Sequence, residues 1–157
     1  MPADSDPLPF TLPHTFRPFG VRVAAYAFGA MLLAVTLVIW FAFPPEVRAQ
    51  FTLFQRGTVI VFALGTAAAG YALARSRIET REDGLTVVNG YKSRSYEWTE
   101  VLAVTLRQGS PWATLDISDG TTVSAMGIQG SDGARAVKQV RQLRALVDQH
   151  SHTESDD

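Results

Sequence analysis

The sequence predicts a membrane-anchored α+β protein, in which a hairpin of two transmembrane helices precedes a small antiparallel β-barrel capped by one C-terminal helix. Three observations predict this fold class. Two long stretches, residues 23–43 and 57–74, contain no charged side chain. A run of short segments separated by Asp-Gly and Asn-Gly pairs follows them. An amphipathic stretch at residues 134–149 then completes the folded part.

The overall composition excludes several classes of protein. The chain has 157 residues and a net charge of −1, so it lacks the broad basic surface typical of nucleic-acid binding. Charged residues make up 18%, below the roughly 25% usual for soluble domains. The absence of cysteine excludes disulfides, thiolate metal sites and a cysteine nucleophile.

The N-terminal residues 1–18 contain five of the eight prolines. Proline fixes φ and removes a backbone donor, so we expect a disordered, Pro-rich tail there. A secretory signal is the alternative interpretation of the apolar stretch that follows. Such a signal has an apolar core of about 7–15 residues. The stretch here has 21 residues and ends in Phe43-Pro44-Pro45, which favours a membrane span.

The transmembrane hairpin is predicted over residues 19–75. As helices, residues 23–43 would reach about 31 Å and residues 57–74 about 27 Å, against a hydrocarbon core of about 30 Å. The alternative, two buried helices of a soluble protein, is disfavoured because the remaining folded part is too small to cover both. The connection at residues 44–56 is too short to form a domain.

The distribution of arginine predicts the orientation of this hairpin. Two spans place both termini on one side, and five arginines lie there against two in the connection. By the positive-inside rule we expect a multi-pass protein of the cell membrane with both termini in the cytoplasm. The five are Arg17, Arg22, Arg75, Arg77 and Arg81, and the two are Arg48 and Arg56.

Six short strands are predicted after the hairpin, because turn signals separate segments of alternating polarity. Exposed strand edges invite aggregation, so the strands should curl into a barrel or stack as two sheets. Ser131 or Asp132 can cap the final helix, and residues 150–157 form an acidic tail. The strands cover residues 78–81, 85–89, 92–98, 101–108, 112–118 and 121–126, and their predicted core includes Trp98, Val101, Val104, Leu115 and Ile117.

This order of strands and one final helix resembles the pleckstrin-homology (PH) superfold. Residues 96–104 are similar to the aromatic–x–Trp–x–acidic–aliphatic–x–x–Val segment of bacterial PH-domain proteins. The resemblance extends to small actinobacterial two-span membrane proteins of the low-molecular-weight antigen 6 type. It implies a PH-like domain at residues 76–149 with seven strands. One strand is therefore missing, very short, or supplied by a bend in residues 122–128.

No catalytic, metal-binding or cofactor-binding residue is predicted. The histidines are His14, His150 and His152, all in presumed tails and without the i,i+4 spacing of helical zinc sites. The serines of the folded region have no partner histidine, and no Gly-rich phosphate loop is present. We therefore expect no enzyme activity, no cofactor and no small-molecule substrate.

Lys92, Arg94 and Trp112 are the candidate binding residues. Lys92 and Arg94 follow the Asn89-Gly90 turn and share a strand face with Tyr96 and Trp98. In eukaryotic PH domains, basic residues near the first hairpin grip inositol phosphates, and the resemblance implies a similar placement here. The alternative is a solvated strand end. Trp112 follows a turn and should be exposed, whereas Trp98 should be a core residue.

The predicted function is a non-enzymatic interaction module at the cytoplasmic membrane face, with a protein or peptide partner and a scaffold or assembly role. Self-association is a further possibility, and no nucleic acid is expected. Nine basic and nine acidic residues balance over residues 76–150, which argues against attachment by charge alone. The alternatives are a sensor of anionic lipid headgroups through Lys92 and Arg94, and a transporter accessory subunit. The transporter alternative lacks the intramembrane charge typical of substrate paths.

Overall fold

The computed structural model describes residues 11–153 of the chain and the side chains of residues 11–150. Seven strands and four α-helices lie in this part, with short 3₁₀ turns at Trp98–Glu100 and Gly130–Asp132. In chain order they are β1 (His14–Phe16), α1 (Gly20–Ala42), α2 (Pro45–Gln50), α3 (Leu53–Arg75), β2 (Arg77–Thr80), β3 (Gly84–Asn89), β4 (Lys92–Glu97), β5 (Val101–Thr105), β6 (Trp112–Ile117), β7 (Thr122–Gln129) and α4 (Ala134–Thr153).

The strands form two antiparallel sheets, ordered β1-β2-β3-β4 and β5-β6-β7. The prediction of a barrel is therefore wrong in one respect. The sheets do not close on each other, because no backbone ladder joins them in the described part of the chain. The Asn89 side chain bridges them instead. Its Oδ1 accepts from the Met126 N–H at 3.0 Å, and its Nδ2 donates to the Ser124 carbonyl. A side chain satisfies the backbone groups of β7 that a closed ladder would have paired.

The strand β1 corrects the prediction of disorder over residues 1–18, of which residues 1–10 lie outside the described part. Phe16 pairs with Ile78 and His14 with Thr80, and Phe16 is 1% exposed in the core. Pro13 and Pro18 flank the strand, so neither removes a donor from its ladder. β1 supplies the seventh strand that the six predicted ones left missing.

The helices α1 and α3 are 23 residues each and are long and apolar enough to cross a membrane. None of the apolar window of α1 is buried, and 6% of that of α3 is. Neither helix is therefore a core helix of the β-domain. Both helices are inserted between β1 and β2, two neighbouring strands of one sheet. A capping box between Thr52 and Gln55 begins α3 after the short connecting helix α2.

The core lies between the two sheets and α4, and all five predicted core residues are buried in it. The apolar face of α4 is also buried as predicted, through Ala136, Val140, Leu143, Leu146 and Val147. Val137 differs, since it is 44% exposed. The helix extends to Thr153, so residues 150–153 continue α4 rather than forming a tail. His150 stacks on Trp98 at a ring distance of 4.8 Å.

Candidate functional site

The strand β4 is the outermost strand of the first sheet and has no neighbour on its far side among the described strands. Its first four residues, Lys92 to Ser95, are all exposed. Lys92 pairs with Asn89 and Arg94 with Val87 on the inner side. The outer backbone groups of β4 are consequently available to another extended chain.

Lys92 and Arg94 share a face of β4, as predicted. Trp98, which was predicted to share it, lies beyond the end of the strand. The strand stops at Glu97, and Trp98 begins a 3₁₀ turn that carries its indole into the core. The Trp98 Nε1 donates to the carbonyls of Arg81 and Glu82, each at 3.1 Å. Trp98 is therefore a core residue, and the exposed side chains on this face of β4 are Lys92 and Arg94.

Arg94 lies in the electrostatic range of the β6–β7 turn. The hydroxyl and backbone N–H of Thr121 hydrogen-bond Asp119 and hold the pKa of its carboxyl below the ordinary value, and the charge of Arg94 adds to the effect.

The position of the basic pair differs from the one the eukaryotic resemblance implied. With β1 in the sheet, the first strand connection is the pair of long helices between β1 and β2. Lys92 and Arg94 instead follow the β3–β4 turn. The central residues of that turn are Gly90, at φ +59°, and Tyr91, while Asn89 remains in the ladder opposite Lys92. Glycine as the first of two central residues is typical of a type II′ turn, whereas an Asn-Gly pair at the centre of a turn usually forms type I′.

This turn packs against the end of α3, which sequence reasoning missed. The Gly90 N–H donates to Ser76 Oγ at 3.0 Å, and Ser76 Oγ donates to the Ala72 carbonyl at 3.1 Å. The Tyr91 hydroxyl donates to the Ala68 carbonyl at 2.8 Å. The turn is therefore fixed to the helix over two of its turns.

Arg75, the last residue of α3, lies close to two tyrosine rings. Its guanidinium carbon is 5.8 Å from the ring centre of Tyr71 and 5.5 Å from that of Tyr91. The two rings are 6.5 Å apart. Tyr71 and Arg75 have the i,i+4 spacing of helix neighbours, which is the one part of this cluster that the sequence signals. Tyr91 lies in the β3–β4 turn, which is distant from α3 in the sequence.

Trp112 does not join Lys92 and Arg94 in one site. It begins β6 in the second sheet, opposite Gln129, and is half-buried rather than exposed. A shallow groove of about 570 Å³ lies near the start of α4, between the β5–β6 loop and the turn after β7. Leu106, Pro111 and Val137 are among its lining residues, and Trp112 is not.

The first long helix is joined to the β-domain by Asp132, which caps α1 rather than the predicted α4. Phe19, at the start of α1, has no side-chain cap of its own. Gln139 also reaches back to this segment, where its Nε2 donates to the Arg17 carbonyl at 3.4 Å. Arg135 lies over the Phe19 ring at 5.1 Å. Both ends of the helical pair are thus attached to the domain.

The described residues contain no group of three His, Asp or Glu side chains that could hold a metal ion. Ion pairs join Arg77 to Glu79, at 2.6 Å, and Arg81 to Glu79, at 3.3 Å. The hydrogen bond from Arg77 lowers the pKa of the Glu79 carboxyl. The expectation that the chain has no catalytic residue stays a prediction.

Comparison with known families decides the identity of the β-domain. Residues 75–146 match the family model described as a bacterial PH domain. The chain belongs to the bacterial PH-domain family. Proteins with this domain are generally non-enzymatic. The strand β1 lies outside the matched residues, on the far side of the inserted helices.

Relatives of this bacterial PH-domain chain occur in mycobacteria. Uncharacterised proteins of Mycobacterium tuberculosis and Mycobacterium bovis are 34% identical over 134 residues, which covers 83% of this chain and 86% of theirs. The match is longer than the whole stretch from residue 75 to residue 157. It therefore includes part of the segment that contains α1 and α3. No solved structure matches the chain significantly.

Proposed function

We propose that this PH-domain protein is a membrane-anchored, non-enzymatic interaction module, and that β4 binds an extended segment of a partner protein. The observation that carries the proposal is the exposed outer edge of β4. A strand at the edge of a sheet offers a row of backbone donors and acceptors that a peptide can complete. Lys92 and Arg94 add positive charge, so the partner segment is acidic.

The other edges of the two sheets are less suited to this role. β1 is three residues long. β5 packs beside α4, and the Arg144 Nε donates to the Val104 carbonyl at 2.6 Å, which occupies one of its backbone acceptors. β4 is twice as long as β1, at six residues, and its first four side chains are exposed. The fourth edge, β7, packs against β2 and β3, and the Asn89 side chain binds its Ser124 carbonyl and Met126 N–H, so β4 is the least covered edge of the described sheets.

The membrane anchor in this proposal is the pair α1 and α3. Their exposed apolar surfaces support insertion, and the five-to-two distribution of arginines supports cytoplasmic termini. A reporter enzyme fused to the C-terminus tests the orientation. Activity of a cytoplasm-dependent reporter is expected, and activity only of a reporter that works outside the cytoplasm would reverse the orientation.

Site-specific photo-crosslinking of the full chain in its native membrane tests the partner site. A photoreactive residue at Ser93 or Ser95, on the β4 edge, should capture a protein, whereas one at Lys138, on the exposed side of α4, should not. The substitution Arg94→Glu should abolish the β4 product, because an acidic segment is then repelled. Equal products at all three positions, or a β4 product unaffected by Arg94→Glu, would contradict the proposal.

A further inference from the structure

The backbone groups on the outer edge of β4 can be assigned residue by residue. In an antiparallel pair of strands, hydrogen-bonded residue pairs alternate with non-hydrogen-bonded pairs, whose side chains lie closer together. Thr86 and Ser95 are directly opposite each other in β3 and β4, and their hydroxyls hydrogen-bond at 2.9 Å. This contact indicates a non-hydrogen-bonded pair, so the N–H and carbonyl of Ser95 point away from β3.

The end of β4 shows the same alternation. The N–H of Glu97, two residues after Ser95, donates to Glu100 Oε2 at 2.8 Å, outside the ladder with β3. The carbonyl of Gly84, which is opposite Glu97, accepts from the Arg81 N–H at 2.8 Å. The residues that direct their backbone groups outward are therefore Ser93, Ser95 and Glu97.

The free part of this edge is short. At one end, Glu100 occupies the N–H of Glu97. At the other end, the hydrogen bonds of Gly90 and Tyr91 attach the β3–β4 turn to α3. Between these ends, the outward backbone groups of Ser93 and Ser95 have no partner in the described part of the chain. A partner strand can form up to four hydrogen bonds with them, and the segment that lies along β4 has about five residues.

The two faces of β4 carry different side chains. Lys92, Arg94 and Tyr96 share the face that carries the buried Leu85 and Val87 in β3. The two basic side chains are exposed, and the tyrosine ring packs partly against the core. The opposite face carries the two serines. A partner strand therefore has two cations and an aromatic ring beside it on one face, and hydroxyls on the other.

We propose that β4 binds an antiparallel partner strand with the pattern apolar–x–acidic–x–acidic, written from the N-terminus of the partner. The inference rests on the proposed function, because it specifies the segment that β4 binds. The partner residue opposite Arg94 lies between the two hydrogen-bonded pairs, on the same face as the guanidinium. The next residue on that face is opposite Lys92, and the previous one is opposite Tyr96. Acidic side chains suit the first two places, and an apolar side chain suits the third.

The direction and the position of the charges have separate causes. Antiparallel pairing is slightly more stable per residue than parallel pairing, which matters for a ladder of so few hydrogen bonds. Glu97 and Glu100 lie at the apolar end of the pattern, where they repel a further acidic residue. The acidic residues of the partner are therefore confined to the part of the strand beside Lys92 and Arg94.

Selection from a random peptide library displayed on phage tests the pattern. The full chain in detergent micelles is compared with Arg94→Glu, Lys92→Glu and, as the control on the exposed side of α4, Lys138→Glu. The parent and the control should both select apolar–x–acidic–x–acidic. Arg94→Glu should change the first acidic position to basic, and Lys92→Glu should change the second, because each partner residue is opposite one cation.

Two synthetic peptides of identical composition test the register. Thr-Val-Thr-Asp-Thr-Glu-Thr has the pattern, whereas Thr-Val-Asp-Thr-Thr-Glu-Thr has one acidic residue moved to the other face. The second peptide should bind the parent about fivefold more weakly, which is the effect of one cross-strand charge pair. The difference should disappear in Arg94→Gln and persist in Lys138→Gln.

The possible failures are distinguishable from one another. Selected peptides with adjacent acidic residues, the reverse order acidic–x–acidic–x–apolar, or equal binding of the two synthetic peptides to the parent would overturn the pattern. If photoreactive residues at positions 93 and 95 still capture a protein, the proposed site on β4 stands without this pattern. If there is neither such a product nor a selected peptide, the site itself is overturned.

Discussion

The carboxylate of Asp132 accepts hydrogen bonds from the backbone N–H groups of Phe19 and Gly20, each at 2.8 Å. A residue of the β-domain, more than 110 positions away in the sequence, therefore caps the first long helix. The first N–H groups of a helix have no intrahelical partner, and an acidic group at this end also favours the helix dipole. The carboxylate thus joins the start of α1 to the β-domain.

The substitution Gly20→Ala tests this cap. A Cβ at position 20 would lie 2.8 Å from Asp132 Oδ1, so the carboxylate must move and the cap is weakened. We expect a loss of about 1 kcal/mol, typical of a lost N-cap, seen as a lower melting temperature of the full chain in detergent micelles. Gly29→Ala is the control, because nothing lies within 4 Å of its Cβ and alanine favours a helix. If Gly20→Ala were as stable as Gly29→Ala, the cap would be unimportant.

The substitution Phe16→Ala tests whether β1 belongs to the domain. Phe16 is 1% exposed, and emptying a phenylalanine site typically costs about 3–5 kcal/mol. We expect most of the stability of the full chain to be lost in chemical denaturation. Phe19→Ala, three residues away and 57% exposed, should cost much less. Comparable losses in the two variants would indicate that β1 is not part of the core.

The substitution Trp98→Ala should remove most of the stability of the domain. The site is 5% exposed, and its loss costs about 3–5 kcal/mol in a domain whose total stability is of the order of 5 kcal/mol. Circular dichroism at 37 °C should show loss of the β signal while the helical signal remains. Trp112→Ala is the comparison, because that tryptophan is half-buried. Cooperative melting of Trp98→Ala near the parent temperature would contradict its role in the core.

The Glu79 carboxylate should contribute to stability at neutral pH and not in acid. Its pKa is lowered in the folded state, chiefly by the hydrogen bond from Arg77, so the folded chain favours the ionised form. The contribution is fully present above the ordinary value of about 4.5 and disappears as the pH falls through the lowered folded value. It is small because the group is partly solvated. Glu79→Gln should be less stable than the parent at pH 7 and equal to it at about pH 2, and a pH-independent difference would refute the assignment.

Local patterns in the sequence predict much of this fold. The uncharged stretches predict α1 and α3, and the alternation of Ala113, Leu115 and Ile117 predicts the buried face of β6. The spacing of Val140, Leu143 and Val147 predicts the inner face of α4. Each of these signals repeats within one element, so it can be recognised without knowledge of the tertiary structure.

The features that the sequence did not predict depend on distant contacts. β1 has three residues between two prolines, too few for a periodic signal, and only its pairing with β2 reveals it. The position of Tyr91 depends on its hydrogen bond to α3, and that of Asp132 on its hydrogen bonds to the start of α1. Lys92 and Arg94 are exposed, as the sequence indicated. Trp112 was also expected to be exposed, but it is half-buried in the other sheet, which the sequence could not show.

The insertion of α1 and α3 between β1 and β2 restricts how the chain can be threaded through a bilayer. Two hydrogen-bonded strands must be on the same side, so the segment between them must cross an even number of times. A chain with only one helix inserted would leave β1 across the membrane from β2 and Phe16 outside its place in the core. With the membrane placement proposed above, the first sheet can be completed only after both helices have crossed the bilayer, so correct topology becomes a condition of folding.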